Sequence, residues 1–258
     1  MIQLTQDLPT LVLTLFLPFA RISAMVMTLP IFGTQLVPAK IKIMLSLALT
    51  FIVASMGNIQ APSTVDPSVI SIFLSLVYQI IIGVIFGLII HIIFQAFNVA
   101  GQIIAMQMGL GFAQLVDPQS GISVPAVSQF YMMVATLLYL SMNGHLFVVS
   151  AIIESFNTLP AVINAYKLIP FEDIMHLGSV MFIYGLKIAL PAVVALLVTN
   201  IAFGVMTKAA PQLNIFTIGF SISMLIGIAL IWVNLAFMLP QFNELTEDTH
   251  TTLAALFQ

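Results

Sequence analysis

The side chains able to do chemistry in this chain are few and widely spaced. Between Asp66 and Glu154 the sole fixed charge is Asp117, with no carboxylate close by in sequence to share acid–base work. His145, in the run MNGH, has no second ligand at metal spacing, and no cysteine is present to supply a thiolate or a disulfide. His91, set among Ile and Phe, reads as a hydrogen-bonded packing residue rather than a proton carrier. Lys187, shortly before Pro191, reads as an interfacial lysine at a helix break rather than a catalytic amine. The HExxH pattern for zinc, the GxSxG serine elbow and the GKS or GKT phosphate loop are all absent. This inventory points away from catalysis and implies no cofactor or metal. It is that of a few polar groups placed in an apolar medium.

The elements that must position them are helices. The chain has 258 residues, 61% hydrophobic and only 6% charged, and its mean hydropathy is +1.17. Soluble domains carry about 25% charged residues, so a soluble globular fold is excluded. A net charge of −3 with six basic residues offers no nucleic-acid surface. The expected class is an all-α, membrane-type protein of about six apolar blocks: Leu8–Leu29, Ile41–Met56, Val69–Ala100, Ala126–Ile153, Ile174–Met206 and Leu213–Leu239. The third and fifth are long enough to tilt or to extend beyond the hydrocarbon. Pro18 and Pro191 fall inside blocks and are expected to kink or break them. The first residues lack the basic region of a cleaved signal, so Leu8 onward reads as a retained helix. Lys40 and Lys42 in the first connection and Lys208 in the fifth orient the odd-numbered connections inward and both termini outward.

Several residues inside the blocks bear on assembly. Arg21 lies deep in the first, where a charge costs about 2.5–3.5 kcal/mol on the insertion scale. It must find carbonyls, a carboxylate or water, either in a neighbouring subunit or within the chain. Gly83 with Gly87, and Gly219, Ser223 and Gly227, repeat small residues every four positions, a spacing that lets helices approach closely. The contact is with another subunit or with the chain's own helices. Fifteen methionines and twenty phenylalanines add adaptable apolar surface.

The most unusual stretch is Gly101–Pro125, GQIIAMQMGLGFAQLVDPQSGISVP, placed between the third and fourth blocks. Irregular backbone in such a protein is tolerated only where it is buried in protein or lines a cavity. Gly109 and Gly111 permit backbone conformations that strain other residues. Met106, Met108 and Phe112 supply deformable apolar bulk. Asp117-Pro118 and Ser120-Gly121 are turn chemistry, expected to return the chain to helix.

This run, followed by FYMMVATLLYLSMNGH and SFNTLP, resembles the FliR family of the bacterial flagellar export apparatus, which includes the matching component of virulence type III secretion systems. LPIFGTQLVPAKIKIMLSLALT and NIAFGVMTKAAPQLNIFTIGF are similar to it as well, in the family's order. The resemblance implies an export-gate subunit in the bacterial inner membrane at the flagellar basal body. It implies a FliP-like part over 1–173, a FliQ-like helical hairpin over 174–240 turning at Lys208 and Pro211, and a short acidic tail over 241–258. FliP-like and FliQ-like subunits are the implied partners, with FlhB-like and FlhA-like export components beside them and unfolded exported proteins as substrate. In this family Gly101–Pro125 corresponds to an inward loop that plugs the pore, and the energy comes from a separate ATPase and the proton gradient. Two other readings stay open, a secondary transporter and a scaffold on which other subunits form the pore.

Overall fold

The structure is a computed structural model that describes residues 8–55, 69–111, 114–117, 121, 123–159, 171–209 and 215–257. It is helical apart from one small β-hairpin. The elements are α1 (Leu8–Thr28), α2 (Ala39–Ser55), α3 (Val69–Gln107), β1 (Gln114–Val116), β2 (Ser123–Pro125), α4 (Ala126–Ser141), α5 (Gly144–Thr158), α6 (Phe171–Ala209) and α7 (Ile215–Phe257). Among the described residues three helices are long and apolar enough to cross a membrane, within Ile70–Gln107, Met175–Ala209 and Gly219–Leu253; α4 and α5 add a fourth crossing only if taken together as a broken span. α3 has 39 residues. At 1.5 Å per residue it is about 58 Å long, far beyond the roughly 30 Å of hydrocarbon.

The sequence reading needs correction at four places. The third block does not end at Ala100, because α3 runs on through Gly101 to Gln107. Gly101 is not a breaker here. A Cβ on it would lie 2.5 Å from the Cα of Ser128, so glycine is what lets α3 and α4 cross closely. The fourth block is two helices, not one. Asn143 takes a left-handed conformation (φ 57°, ψ 27°) between them, which asparagine tolerates better than most residues. Pro18 and Pro191 break neither α1 nor α6, and a further proline, Pro240, is accommodated inside α7. Finally, α7 continues to Phe257 through the residues read as an acidic tail. Pro211, Phe112 and Pro118 lie outside the described residues.

By its internal contacts the chain divides into two interleaved compact units. The first comprises 1–91, 143–174 and 250–258, and the second 92–142 and 175–249. In the first, α1 packs on the early part of α3 through the small residues the sequence singled out. A Cβ on Gly83 would meet the carbonyl oxygen of Arg21, with Ala24 Cβ at 2.8 Å, and one on Gly87 would meet the Thr28 hydroxyl. Both glycines therefore find their close partners within the chain. Gly83→Ala is expected to cost about 1–3 kcal/mol, because the obstacle is helix backbone and cannot swing aside. Gly178 in α6 has nothing within 4 Å of its added Cβ. There alanine should be neutral or stabilise by up to about 1 kcal/mol. Thermal unfolding of the two purified variants checks both signs.

The second unit has an aromatic core in which Phe94 meets Tyr139 edge-on at 5.4 Å and Phe97 meets Phe242 at 5.5 Å between centroids. Polar groups are sealed into it, Asn234 among them. Asn234, 3% exposed, donates through Nδ2 to Tyr131 Oη at 3.0 Å and to the Ile188 carbonyl at 2.9 Å. Asn234→Leu strands both acceptors in an apolar core and should lower stability by about 1–3 kcal/mol, read as a lower unfolding temperature of the detergent-solubilised protein. By contrast Lys187 and Glu244 pair at 3.2 Å with side chains 47% and 55% exposed, a geometry worth little in water. Lys187 also lies 4.4 Å over the Tyr184 ring, so its charge is held at the protein surface.

Candidate functional site

Within the second unit the end of α3 forms an elbow. Met108 closes the last turn by donating its amide to the Ile104 carbonyl at 3.0 Å, and Gly109 then turns left-handed at φ 76°. Leu110 bonds back to the Ala105 carbonyl at 2.8 Å, which satisfies a carbonyl that the helix end would otherwise leave open. α7 clasps this elbow. A Cβ on Gly227 would fall 2.5 Å from Met108 Cγ, and one on Gly109 would fall 2.8 Å from Phe220 Cε2. At Gly227 a side chain would force the Met108 side chain to move, and at Gly109 the positive φ disfavours residues with a Cβ as well. Beside the elbow is a groove of about 660 Å³ between the α3 terminus (Met106 to Gly109), α6 (Asn200, Phe203, Gly204, Thr207) and α7 (Gly219, Phe220, Ser221, Ser223). Ser223 donates to Asn200 Oδ1 at 3.1 Å, which ties α7 to α6 along its wall.

Beyond the elbow the chain forms an antiparallel hairpin with Gln114 opposite Pro125, Leu115 opposite Val124 and Val116 opposite Ser123. Its turn is closed by Gly121, at φ 73°, donating its amide to the Asp117 carbonyl at 2.8 Å. Of the turn residues anticipated in the sequence, Asp117 and Gly121 close the hairpin, while Pro118 and Ser120 lie outside the described residues; the return to helix is made by Pro125 leading into α4. Asp117 is 4% exposed and Val124 6%, whereas Leu115 is 53% and Met106 63% exposed.

The residues read as one sealing group divide into separate roles. Met106 is on the last turn of α3 with its side chain outside, while Met108 is 1% exposed and anchors the elbow. Gly109 and Gly121 need their positive φ. Gly111 does not, since its φ is ordinary and an added Cβ would only touch Met106 Cγ at 3.6 Å. On α7, Gly227 is a close contact and Ser223 a hydrogen bond. Gly219 faces Phe203 at an ordinary 3.7 Å.

Arg21, in the first unit, is 0% exposed and fully engaged in the chain. Nε donates to Gln79 Oε1 at 2.6 Å, Nη1 to the Ser155 carbonyl at 3.1 Å and hydroxyl at 2.9 Å, and Nη2 to the Leu159 carbonyl at 2.6 Å. The guanidinium lies 4.1 Å from the Phe156 ring centroid. α5 has no basic residue in its last turn. Arg21 supplies that charge from α1, capping carbonyls at the negative end of the α5 dipole. Sequence reasoning missed Gln79 and Ser155, the side chains that hold it. Among the described residues no group of three His, Cys, Asp or Glu side chains could hold a metal.

The family model for bacterial export proteins, family 1, matches residues 12–249. The chain belongs to that family. It is 35% identical to the flagellar biosynthetic protein FliR of Escherichia coli (strain K12) over 239 residues, 93% of this chain and 90% of that one. It is 36% identical to FliR of Pectobacterium carotovorum subsp. carotovorum over 250 residues, 96% of this chain and 94% of the relative. FliR of Aquifex aeolicus (strain VF5) is 32% identical over 228 residues, 86% and 85% of the two chains. For this export-family member, elbow, hairpin and groove all lie inside the matched region.

Proposed function

We propose that this chain is a gate subunit of the flagellar type III protein-export apparatus, and that its hairpin segment closes the lumen through which unfolded proteins pass. Membership of the export family and its FliR relatives place it in flagellar biosynthesis and protein export, and its long apolar helices suit a membrane setting. The finer reading is ours. One observation carries it: an uncharged helix ends in an elbow held by α7 with Met106 exposed on its last turn, and the short hairpin that follows in the chain exposes Leu115. Such a segment is anchored at its base and yielding at its face. Methionine and leucine surfaces exclude water and ions yet deform around a passing chain.

The partners on this reading are FliP-like and FliQ-like subunits, with FlhB-like and FlhA-like components adjacent, in the inner membrane at the basal body. On this reading residues 174–240, within α6 and α7, are the FliQ-like hairpin, 1–173 the FliP-like part and 241–258 a short acidic tail, a division that differs from the contact-defined units. The subunit hydrolyses nothing itself. Energy comes from a separate ATPase and the proton gradient. Broad apolar faces on α6 and α7, including Phe182, Leu190, Val198 and Trp232, which is 76% exposed, support cover by sibling subunits or lipid. Isolation of the tagged chain in mild detergent should recover two other small apolar proteins in fixed ratio, by mass measurement of the intact complex. Recovery as a lone, monodisperse particle that transports a small solute would instead favour the secondary transporter.

A further inference from the structure

α3 changes the chemistry of its accessible face along its length. Over its first half the exposed side chains are apolar: Ile70, Phe73, Leu74, Val77, Val84 and Leu88. From Gln95 onward the face left partly open carries Gln95, Asn98 and Gln102, with Val99 and Ile103 along one flank, and ends on the exposed Met106. Ala96, Phe97, Ala100, Ile104 and Ala105, between them in sequence, are 0% exposed. Steps of three, four and four residues keep these positions on one side of a helix for about 16 Å. The amides are joined to each other, Asn98 Nδ2 donating to Gln95 Oε1 at 2.9 Å and Gln102 Nε2 to Asn98 Oδ1 at 3.2 Å. A row of amides turned to hydrocarbon is costly, so polar faces at membrane depth line water or meet polar groups.

We propose that Gln95, Asn98 and Gln102 form a track that hydrogen-bonds the backbone of the exported polypeptide while it is unfolded. This rests on the gate reading above. The backbone amide is the group every unfolded chain shares, and a primary amide complements both its N–H and its C=O. The track is uncharged, so it neither attracts nor repels particular side chains. Bonds made in exchange for bonds to water are weak in net terms, so the polypeptide slides past rather than sticking. The track also leads to the elbow at Met108–Gly109, from which the hairpin departs.

The absence of cysteine from the chain makes the test direct. Single variants Asn98→Cys, Gln102→Cys, Leu115→Cys and Phe73→Cys are placed in the assembled complex. An export substrate is stalled by a folded carboxy-terminal fusion, with one cysteine in its unfolded portion. Oxidation should cross-link the substrate to Asn98→Cys and Gln102→Cys as strongly as to Leu115→Cys, and not to Phe73→Cys. Cross-linking at Leu115→Cys alone overturns the track and leaves the gate standing. Cross-linking at none of the four, with the substrate demonstrably stalled, overturns both. Equal cross-linking at Phe73→Cys overturns the track, since proximity would then be unselective. In an independent readout, Asn98→Leu with Gln102→Leu should lose export while Asn98→Gln with Gln102→Asn retains it. Wild-type export by the leucine pair contradicts the proposal.

Discussion

Arg21→Leu is expected to remove about 2–4 kcal/mol of stability, because it takes the guanidinium from the Gln79 amide oxygen and the Leu159 carbonyl, each loss worth about 1–3 kcal/mol in a buried setting, while the Ser155 carbonyl keeps the Leu159 amide at 2.9 Å. A whole domain is stable by only about 5–15 kcal/mol. The variant should therefore accumulate poorly and be cut rapidly by protease in membranes where the parent chain resists. Arg21→Lys keeps the charge but not the planar fork that reaches three acceptors at once. It should recover part of the loss, and the ordering parent, lysine, leucine in protease half-life is the result to look for. If leucine matches the parent, the buried network has no structural weight and the capping of α5 from α1 is incorrect.

Gly109→Val should have the largest functional effect of any single substitution. The position has φ 76°, and an added Cβ falls 2.8 Å from Phe220. A left-handed conformation costs an ordinary residue about 1–2 kcal/mol, and more when it is β-branched. The clash with an aromatic ring adds to this. The elbow must re-aim, carrying with it the hairpin it launches, while the helices on either side keep their own cores. The expected phenotype is a complex that still assembles but loses export and closes imperfectly. The measurement is secretion of a flagellar protein against the amount of complex recovered. Gly111→Ala is the matched control. Its neighbour is an ordinary 3.6 Å away, and export should be unaffected.

Much of the helical framework was legible because long apolar runs bounded by proline and polar connections leave few alternatives. What escaped was local. Gly101 and the close pairs on α3 and α7 announce only that backbone approaches something; which helix answers is a matter of tertiary packing. Arg21 could be read as a group in need of partners, yet Ser155 and Leu159 lie 134 and 138 residues away in sequence. The β-hairpin was invisible for a different reason. Its strands are three residues each, too short for an alternating pattern, and one ends in proline, which normally argues against a strand. The Asn143–Gly144 break was hidden by the apolar residues on both sides, although asparagine before glycine is a turn signal. Met108 was grouped with Met106 by composition, and only burial separates an anchor from a free surface.

The closing role proposed for the hairpin is tested most directly by electrical conductance. Replacing residues 115–124 with Asn-Gly removes Leu115, keeps the Gln114–Pro125 pair and substitutes a tight two-residue turn, so elbow and α4 are spared. The purified complex, shown to be fully assembled, is reconstituted in planar bilayers without substrate. A closed parent complex and an ion-conducting shortened variant are the predicted pair. A shortened variant that assembles and stays as tight to ions as the parent would contradict the gate.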